Sequence, residues 1–284
     1  NRHRSRDMVE PIYTAADAAE TMTLFRPVPL DSWQEVADGM RIRLWNAGHL
    51  LGSASVEMEI GEAAERTRIL FSGDIGPGHK LLQYDPEAPK DWDYILCEST
   101  HGDSDRIETT DESRRAILKG EVNAAARHEN GALIIPSFAV ERTQELLADL
   151  VYLAEKGEIP TCPIVIDSPL AIRASEVFLK HARDIEHGDL LSRAMRSRNV
   201  RFSETTEQSK AIDFIHGFHI VIAASGMCEA GRIRHRLKNW LWREEGTILL
   251  VGFQAAGTLG RILADGASTV RIQGEEIAVR ARIR

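Results

Sequence analysis

Three cysteines in 284 residues, Cys97, Cys162 and Cys228, are too few and too widely spaced for a disulfide framework. No two of them form a C-x-x-C pair, so a zinc knuckle is excluded as well. Apolar runs are short, and none approaches the roughly 20 residues of a membrane helix; the start carries no apolar signal region. Positive charge is in deficit, with 35 Lys and Arg against 43 Asp and Glu and a net charge of −8. Such a surface repels polyanions at long range, so any nucleic-acid site has to be a local basic groove. Aromatics are scarce at 6%, yet 43% of the chain is apolar, enough for a large core or for two. Together these features predict a cytoplasmic α/β protein with no membrane association. The opening charge cluster Asn1-Arg2-His3-Arg4-Ser5-Arg6-Asp7 and the abrupt end at Arg284 are read as those of a fragment.

What the sequence does hold is two glycine-flanked runs, Gly48-His49-Leu50-Leu51-Gly52-Ser53 and Phe71-Ser72-Gly73-Asp74-Ile75-Gly76. Each follows a strand pattern: residues 40–45 alternate apolar with charged side chains, and 68–71 read as a buried strand. His49 and Asp74 are thus expected at strand C-terminal ends, where rigid elements commonly hold catalytic loops. Imidazole nitrogen and carboxylate oxygen suit a borderline-soft divalent ion, but zinc takes about four ligands. The pair is half a metal site. A histidine beside glycine also serves as an ordinary loop residue.

Further strands are expected over 54–60 and 92–97, making 40–97 a strand-rich module. From residue 111 the period lengthens. Helices are predicted over 111–128, 140–156, 170–182, 230–241 and 259–264, between strands at 132–136, 163–167, 219–224 and 247–252. Strand-helix alternation with continuous apolar strands implies a doubly wound parallel sheet covered on both faces. The polar stretch 100–111 is the expected boundary.

Several loops of this second module sit where a strand end meets a helix N-terminus, a favourable seat for an anion. Pro136-Ser137-Phe138-Ala139-Val140-Glu141-Arg142 and Ala224-Ser225-Gly226-Met227 are two, and Asp167-Ser168-Pro169 is a third. Ser137, Arg142, Ser225, Gly226 and Arg232 are the candidate phosphate contacts, with Arg234, His235, Arg236 and Lys238 following on the helix. A tight turn and a solvated basic face are the plainer reading. Phe138 and Phe253 are candidate stacking platforms for a single strand, or core residues. Glu98 closes the strand at 92–97, placed to receive a proton or to cap a loop.

In this order, the motifs at His49, Asp74, Glu98-Ser99-Thr100, Pro136 to Arg142, Asp167-Ser168-Pro169 and Ser225-Gly226-Met227 resemble the β-CASP branch of the metallo-β-lactamase-fold nucleases. The nearest branch is the bacterial RNA-processing one, related to ribonuclease J and to the pre-mRNA cleavage nuclease. The resemblance runs from about residue 14 to the end. It implies a partial metallo-β-lactamase αββα sandwich over 1–103, an inserted β-CASP domain over 104–268, and return strands to the first fold over 269–284. It also implies a zinc-dependent ribonuclease with two ions. His49 would be a terminal metal ligand and Asp74 the bridging one, while Glu98 would assist proton transfer. RNA is the implied partner, and a homodimer is allowed.

The chain departs from the family in lacking an H-x-H-x-D-H run and the later histidine motifs, and in carrying His101 where relatives usually have Tyr. The expectation is therefore of a chain truncated at both ends and inactive alone. The alternatives are a catalytically silent RNA-binding scaffold and a small-molecule metallo-hydrolase.

Overall fold

A computed structural model describes residues 11–62, 65–87, 89–103 and 110–284. The expected fragment-like start at 1–7 and the predicted domain boundary at 103/104 lie wholly or partly outside the described residues. After a capped helix α1 (Ala15–Met22) come β1 (Gln34–Ala37), β2 (Met40–Asn46), β3 (Ala54–Ile60), β4 (Thr67–Phe71) and β5 (Tyr94–Leu96). They form a five-stranded sheet in sequential order, antiparallel from β1 to β4 and parallel between β4 and β5.

The register gives β2 and β3 one apolar and one charged face. Ile42 pairs with Met58 and Leu44 with Val56 on the first, Arg41 with Glu59 and Arg43 with Glu57 on the second. The charged face is the more deeply buried. Glu57 and Glu59 are 0% and 9% exposed, whereas Val56 and Met58 are half-buried. Arg43, Arg68 and the Trp45 indole all donate to the Glu57 carboxylate, and Arg41 and Arg66 donate to Glu59. Guanidinium planes of Arg41 and Arg43 lie over Trp33, and that of Arg68 over Trp92. Burial by itself raises the Glu57 pKa, but the hydrogen bonds from Arg68, Trp45 and Arg43 outweigh it and hold the carboxyl below its usual range. The strand at 68–71, expected to be buried, has only Leu70 below the surface.

The second half alternates as its pattern predicts. α2 (Asp111–Ala125), capped by Thr110, leads to β6 (Ala132–Pro136), α3 (Arg142–Glu155), β7 (Ile164–Ile166), α4 (Pro169–Lys180), α5 (Gly188–Met195) and β8 (Val200–Phe202). Then follow α6 (Thr206–Ala211), β9 (His219–Ala223), α7 (Ile233–Trp240), β10 (Gly246–Ile248) and α8 (Leu259–Ala264). The chain ends on β11 (Thr269–Ile272), β12 (Glu275–Ala278) and β13 (Arg282–Ile283). The six-stranded sheet has order β13-β10-β6-β9-β7-β8, and all its neighbouring strands run parallel. Leu133, Ile135, Ile164, Ile166, Ile220 and Ile222 pack on one face beneath α2, α3 and α4. Ala132, Ile134, Val165, Val221 and Ile248 pack on the other beneath α7, α8 and Val270 and Ile272 of β11.

Two helices start later than the periodicity predicts, for backbone reasons. Glu141 has φ +70° and Gly231 φ +79°, so α3 begins at Arg142 and α7 at Ile233. The C-terminal segment also departs from expectation. Residues 269–278 form a separate hairpin, turned at Gln273 and Gly274 with positive φ, and β13 extends the six-stranded sheet beside β10 rather than joining the first sheet. Among the described residues no helix is long and apolar enough to cross a membrane.

Candidate active site

The loop after β2 is folded tightly on itself. The Ser53 hydroxyl accepts from the His49 and Leu50 N–H groups at 3.0 Å, and the Asn46 side chain accepts from Gly48 N–H. Against it lies the loop after β4, whose Gly76 N–H donates to Ala47 O at 2.8 Å. A Cβ on Gly76 would stand 1.9 Å from Gly48 O, so only glycine allows the two loops to meet. Glu98, at the end of β5, closes the same cluster. Its Oε1 accepts from Ile75 N–H at 2.7 Å, and its Oε2 accepts from the Thr100 hydroxyl at 2.6 Å and the Thr100 N–H at 3.3 Å. The Thr100 hydroxyl, then the Ile75 and Thr100 amides and the nearby His49 hold the Glu98 pKa below the usual carboxylate range. A cleft of about 290 Å³ opens between residues 75–77 and 98–102.

His49, Asp74 and Glu98 are thus brought to one end of the first sheet by three loops in mutual contact. Asp74 is exposed and His49 half-buried. The donor chemistry of this pair suits zinc. The number falls short: among the described residues, no three His, Cys, Asp or Glu side chains group closely enough to hold a metal ion. Glu98 spends both its oxygens on hydrogen bonds within the loops, so it acts as a clamp on the loop that carries Asp74.

The expected phosphate seats turn out differently. Ser137 is 0% exposed and its hydroxyl serves Thr143 and Phe138 O. Gly226 is covered by Phe138, whose Cδ2 would lie 2.9 Å from an added Cβ. Ser225 Oγ accepts from Ala230 N–H within its own turn. Arg232 donates to Asp167 Oδ1 at 2.9 Å, to Ser203 and to Glu204 O. Arg236 binds the other oxygen of Asp167 and pairs with Asp213, and Lys238 pairs with Glu275. The Asp167 loop is therefore a buried carboxylate neutralising the basic helix, the reverse of an anion seat. Of the five candidates, Arg142 keeps the most exposed polar head, its side chain 38% exposed and 3.2 Å from Glu145.

Spacing gave no signal for what lies under this edge. Lys80, Leu81, Leu82 and Gln83, from the loop between β4 and β5, are inserted against the second layer. Leu81 and Leu82 are 0% exposed and pack with Ala148, Phe178, Ile185, Leu190 and Leu191. Gln83 Nε2 donates to Glu141 Oε2 at 3.0 Å, and Leu81 N–H to Glu145 Oε1 at 3.3 Å. Burial, joined by the Glu145 charge and only partly opposed by Lys80, Gln83 and Arg142, pushes the Glu141 pKa up to about 7. The layers meet again where Phe253, 56% exposed, stands edge-on to His101 at 6.0 Å. Phe138 is 42% exposed, so neither ring is core.

A Beta-Casp domain model matches residues 143–263, the span from α3 to α8. Ribonuclease TTHA0252 of Thermus thermophilus is 32% identical over 282 residues, covering 97% of this chain and 63% of its own length. Residues 143–263 are a β-CASP domain. An RNase J-like protein of Methanocaldococcus jannaschii is 28% identical over 252 residues, 88% of this chain and 58% of the relative. Transcription termination factor FttA of Cenarchaeum symbiosum is 27% identical over 277 residues, 92% of the chain and 41% of its own length. The chain thus spans between about two fifths and three fifths of these curated relatives. A β-CASP domain implies a metallo-β-lactamase fold into which the parallel layer is inserted.

Proposed function

We propose that this chain is part of a nuclease that hydrolyses RNA phosphodiester bonds, that its metal is zinc, and that His49 and Asp74 donate to it. The observation that carries this reading is the convergence of the His49, Asp74 and Glu98 loops at one strand-end edge, in a chain similar along most of its length to a ribonuclease. A metal held there supplies an activated water and stabilises charge developing on phosphorus. The residues of this chain contribute position. Glu98 fixes the loop carrying Asp74 through Ile75 N–H, and Gly76 seats that loop on Gly48. The cleft beside Glu98, bounded by His101, is the proposed place for the scissile phosphate. The three cysteines are unpaired, which supports a reducing, cytoplasmic setting.

A second reading, a catalytically silent RNA-binding subunit, is favoured by the shortage of metal donors among the described residues. Metal content of the full-length protein, with cleavage of end-labelled RNA, separates the two. Bound zinc and cleavage, both lost in Asp74→Asn while RNA is still bound, support the nuclease. RNA binding without zinc or cleavage supports the silent subunit.

A further inference from the structure

Lys80 holds its ammonium in the interior, with the side chain 10% exposed. A buried ammonium needs acceptors to offset its lost hydration. The nearest are the backbone carbonyl of His49, to which Nζ donates, and Glu141 Oε1 at 3.8 Å. The two contacts reach opposite ways. His49 belongs to the loop after β2 in the first layer, whereas Glu141 starts the α3 helix of the second, with φ +70°. Between them the backbone of Lys80 is fixed, because the adjoining Leu81 and Leu82 are sealed into the cluster with Phe178, Leu190 and Leu191. Glu141 depends on this contact as well. Its Oε2 is served by Gln83, but its Oε1 is buried and has no hydrogen-bond donor among the described residues. The Lys80 charge is what faces that oxygen.

We propose that Lys80 is a positioning residue for His49: it anchors the carbonyl of the candidate ligand to the β-CASP layer through Glu141, and so sets where the imidazole stands relative to Asp74. The role of His49 in this statement rests on the reading above; the anchoring does not. Other groups hold the loop from within its own layer, namely the Ser53 hydroxyl and Gly76 N–H. Lys80 ties it by its side chain to a carboxylate of the second layer. A long, flexible stem carrying a point charge suits this use, since it spans the seam while its three donors serve acceptors that are not coplanar.

The test uses the full-length protein as wild type, Lys80→Met, Lys80→Arg and Glu141→Gln. Amide hydrogen exchange over 47–53 and zinc affinity by chelator competition are read together, with RNA affinity as the control. Lys80→Met is expected to speed exchange over 47–53 and to weaken zinc binding by about tenfold, the usual scale for loss of a residue that orients a ligand. RNA affinity should stay as in wild type, and Lys80→Arg should recover most of the loss. Glu141→Gln should give a smaller change over the same amides. Unchanged exchange over 47–53 in Lys80→Met overturns the proposal. So does exchange raised equally along the whole chain, which would make Lys80 a general stability residue. Exchange is readable whether or not the wild type takes up zinc. A protein without zinc therefore sinks the metal reading and leaves the anchoring to be judged on its own.

Discussion

The five-stranded and six-stranded sheets put their charges in opposite places. In the first, β2 and β3 alternate strictly, yet their more buried side is the charged one, where Glu57 and Glu59 lie among arginine and tryptophan side chains. In the second, both faces are apolar and sealed by helices, and the buried carboxylate Asp167 sits just past a strand end, paired to Arg232 and Arg236. The difference teaches that period alone states which residues share a face. It does not state which face is covered. Long arginine stems and indole rings can cover a charged face as effectively as a helix covers an apolar one.

The largest effect that tests this division of labour concerns the strand-end edge. Asp74→Asn should lower RNA cleavage in the full-length protein by roughly 10³-fold or more, on the scale of losing a group that acts on the transition state. Its thermal midpoint should hardly move, because Asp74 is exposed and carries no packing. A cleavage rate within a few-fold of wild type would break the assignment.

Next in size is a pair of carboxylate deletions, one in each layer. Asp167→Ala leaves the Arg236 guanidinium, on a side chain only 3% exposed, short of a partner, and should cost about 3–5 kcal/mol in denaturant unfolding. Glu57→Ala removes a carboxylate that is just as buried, but its arginine partners are 22% and 28% exposed and regain water, so about half that loss is expected. Equal losses would erase the contrast between the layers.

Apolar truncation should rank the same way. Leu133→Ala, at a site 0% exposed, is expected to cost about 3 kcal/mol, and Met58→Ala, at a site half-buried in this chain, under about 1 when measured on this chain. Denaturant midpoints at constant m-value check both.

The last predicted effect is at the seam and depends on pH. Glu141 has its folded pKa raised to about 7 from 4.5, so the folded state favours its protonated form. Its contribution is present in full below the unfolded pKa and is lost as pH rises through 7, an effect of roughly 3 kcal/mol at most. Glu141→Gln should flatten stability between pH 4.5 and 7 relative to wild type. The same slope in the variant would assign the pH dependence to other groups.

Much of the second layer was legible because it obeys one rule throughout. The strand at 132–136 and the helix at 259–264 were readable to the residue, since apolar runs and helical periods are bounded there by glycine, proline or a capping threonine. The helix starts at Arg142 and Ile233 were not, since they depend on positive φ at Glu141 and Gly231. The helix α5 was not legible either, since it starts after His187, with positive φ and no side-chain cap. In the site, the strand-end placement of His49 and Asp74 was legible from glycine-flanked motifs, and that of Glu98 from the strand pattern before it. The Arg232–Asp167 pair was not legible, because a basic residue after a Ser-Gly turn looks the same whether it faces a phosphate or a buried aspartate 65 positions away.

By itself, then, the sequence determined the periods, the turns and the order of motifs, since these are set by neighbours within a few residues. It also marked His49, Asp74 and Glu98 as the candidates for chemistry. Tertiary structure alone decided which charges are already spent, which face of the first sheet is covered, and that Lys80 stands between His49 and Glu141. Those outcomes depend on groups far apart in the chain sharing one low-dielectric space, and no local pattern encodes that meeting.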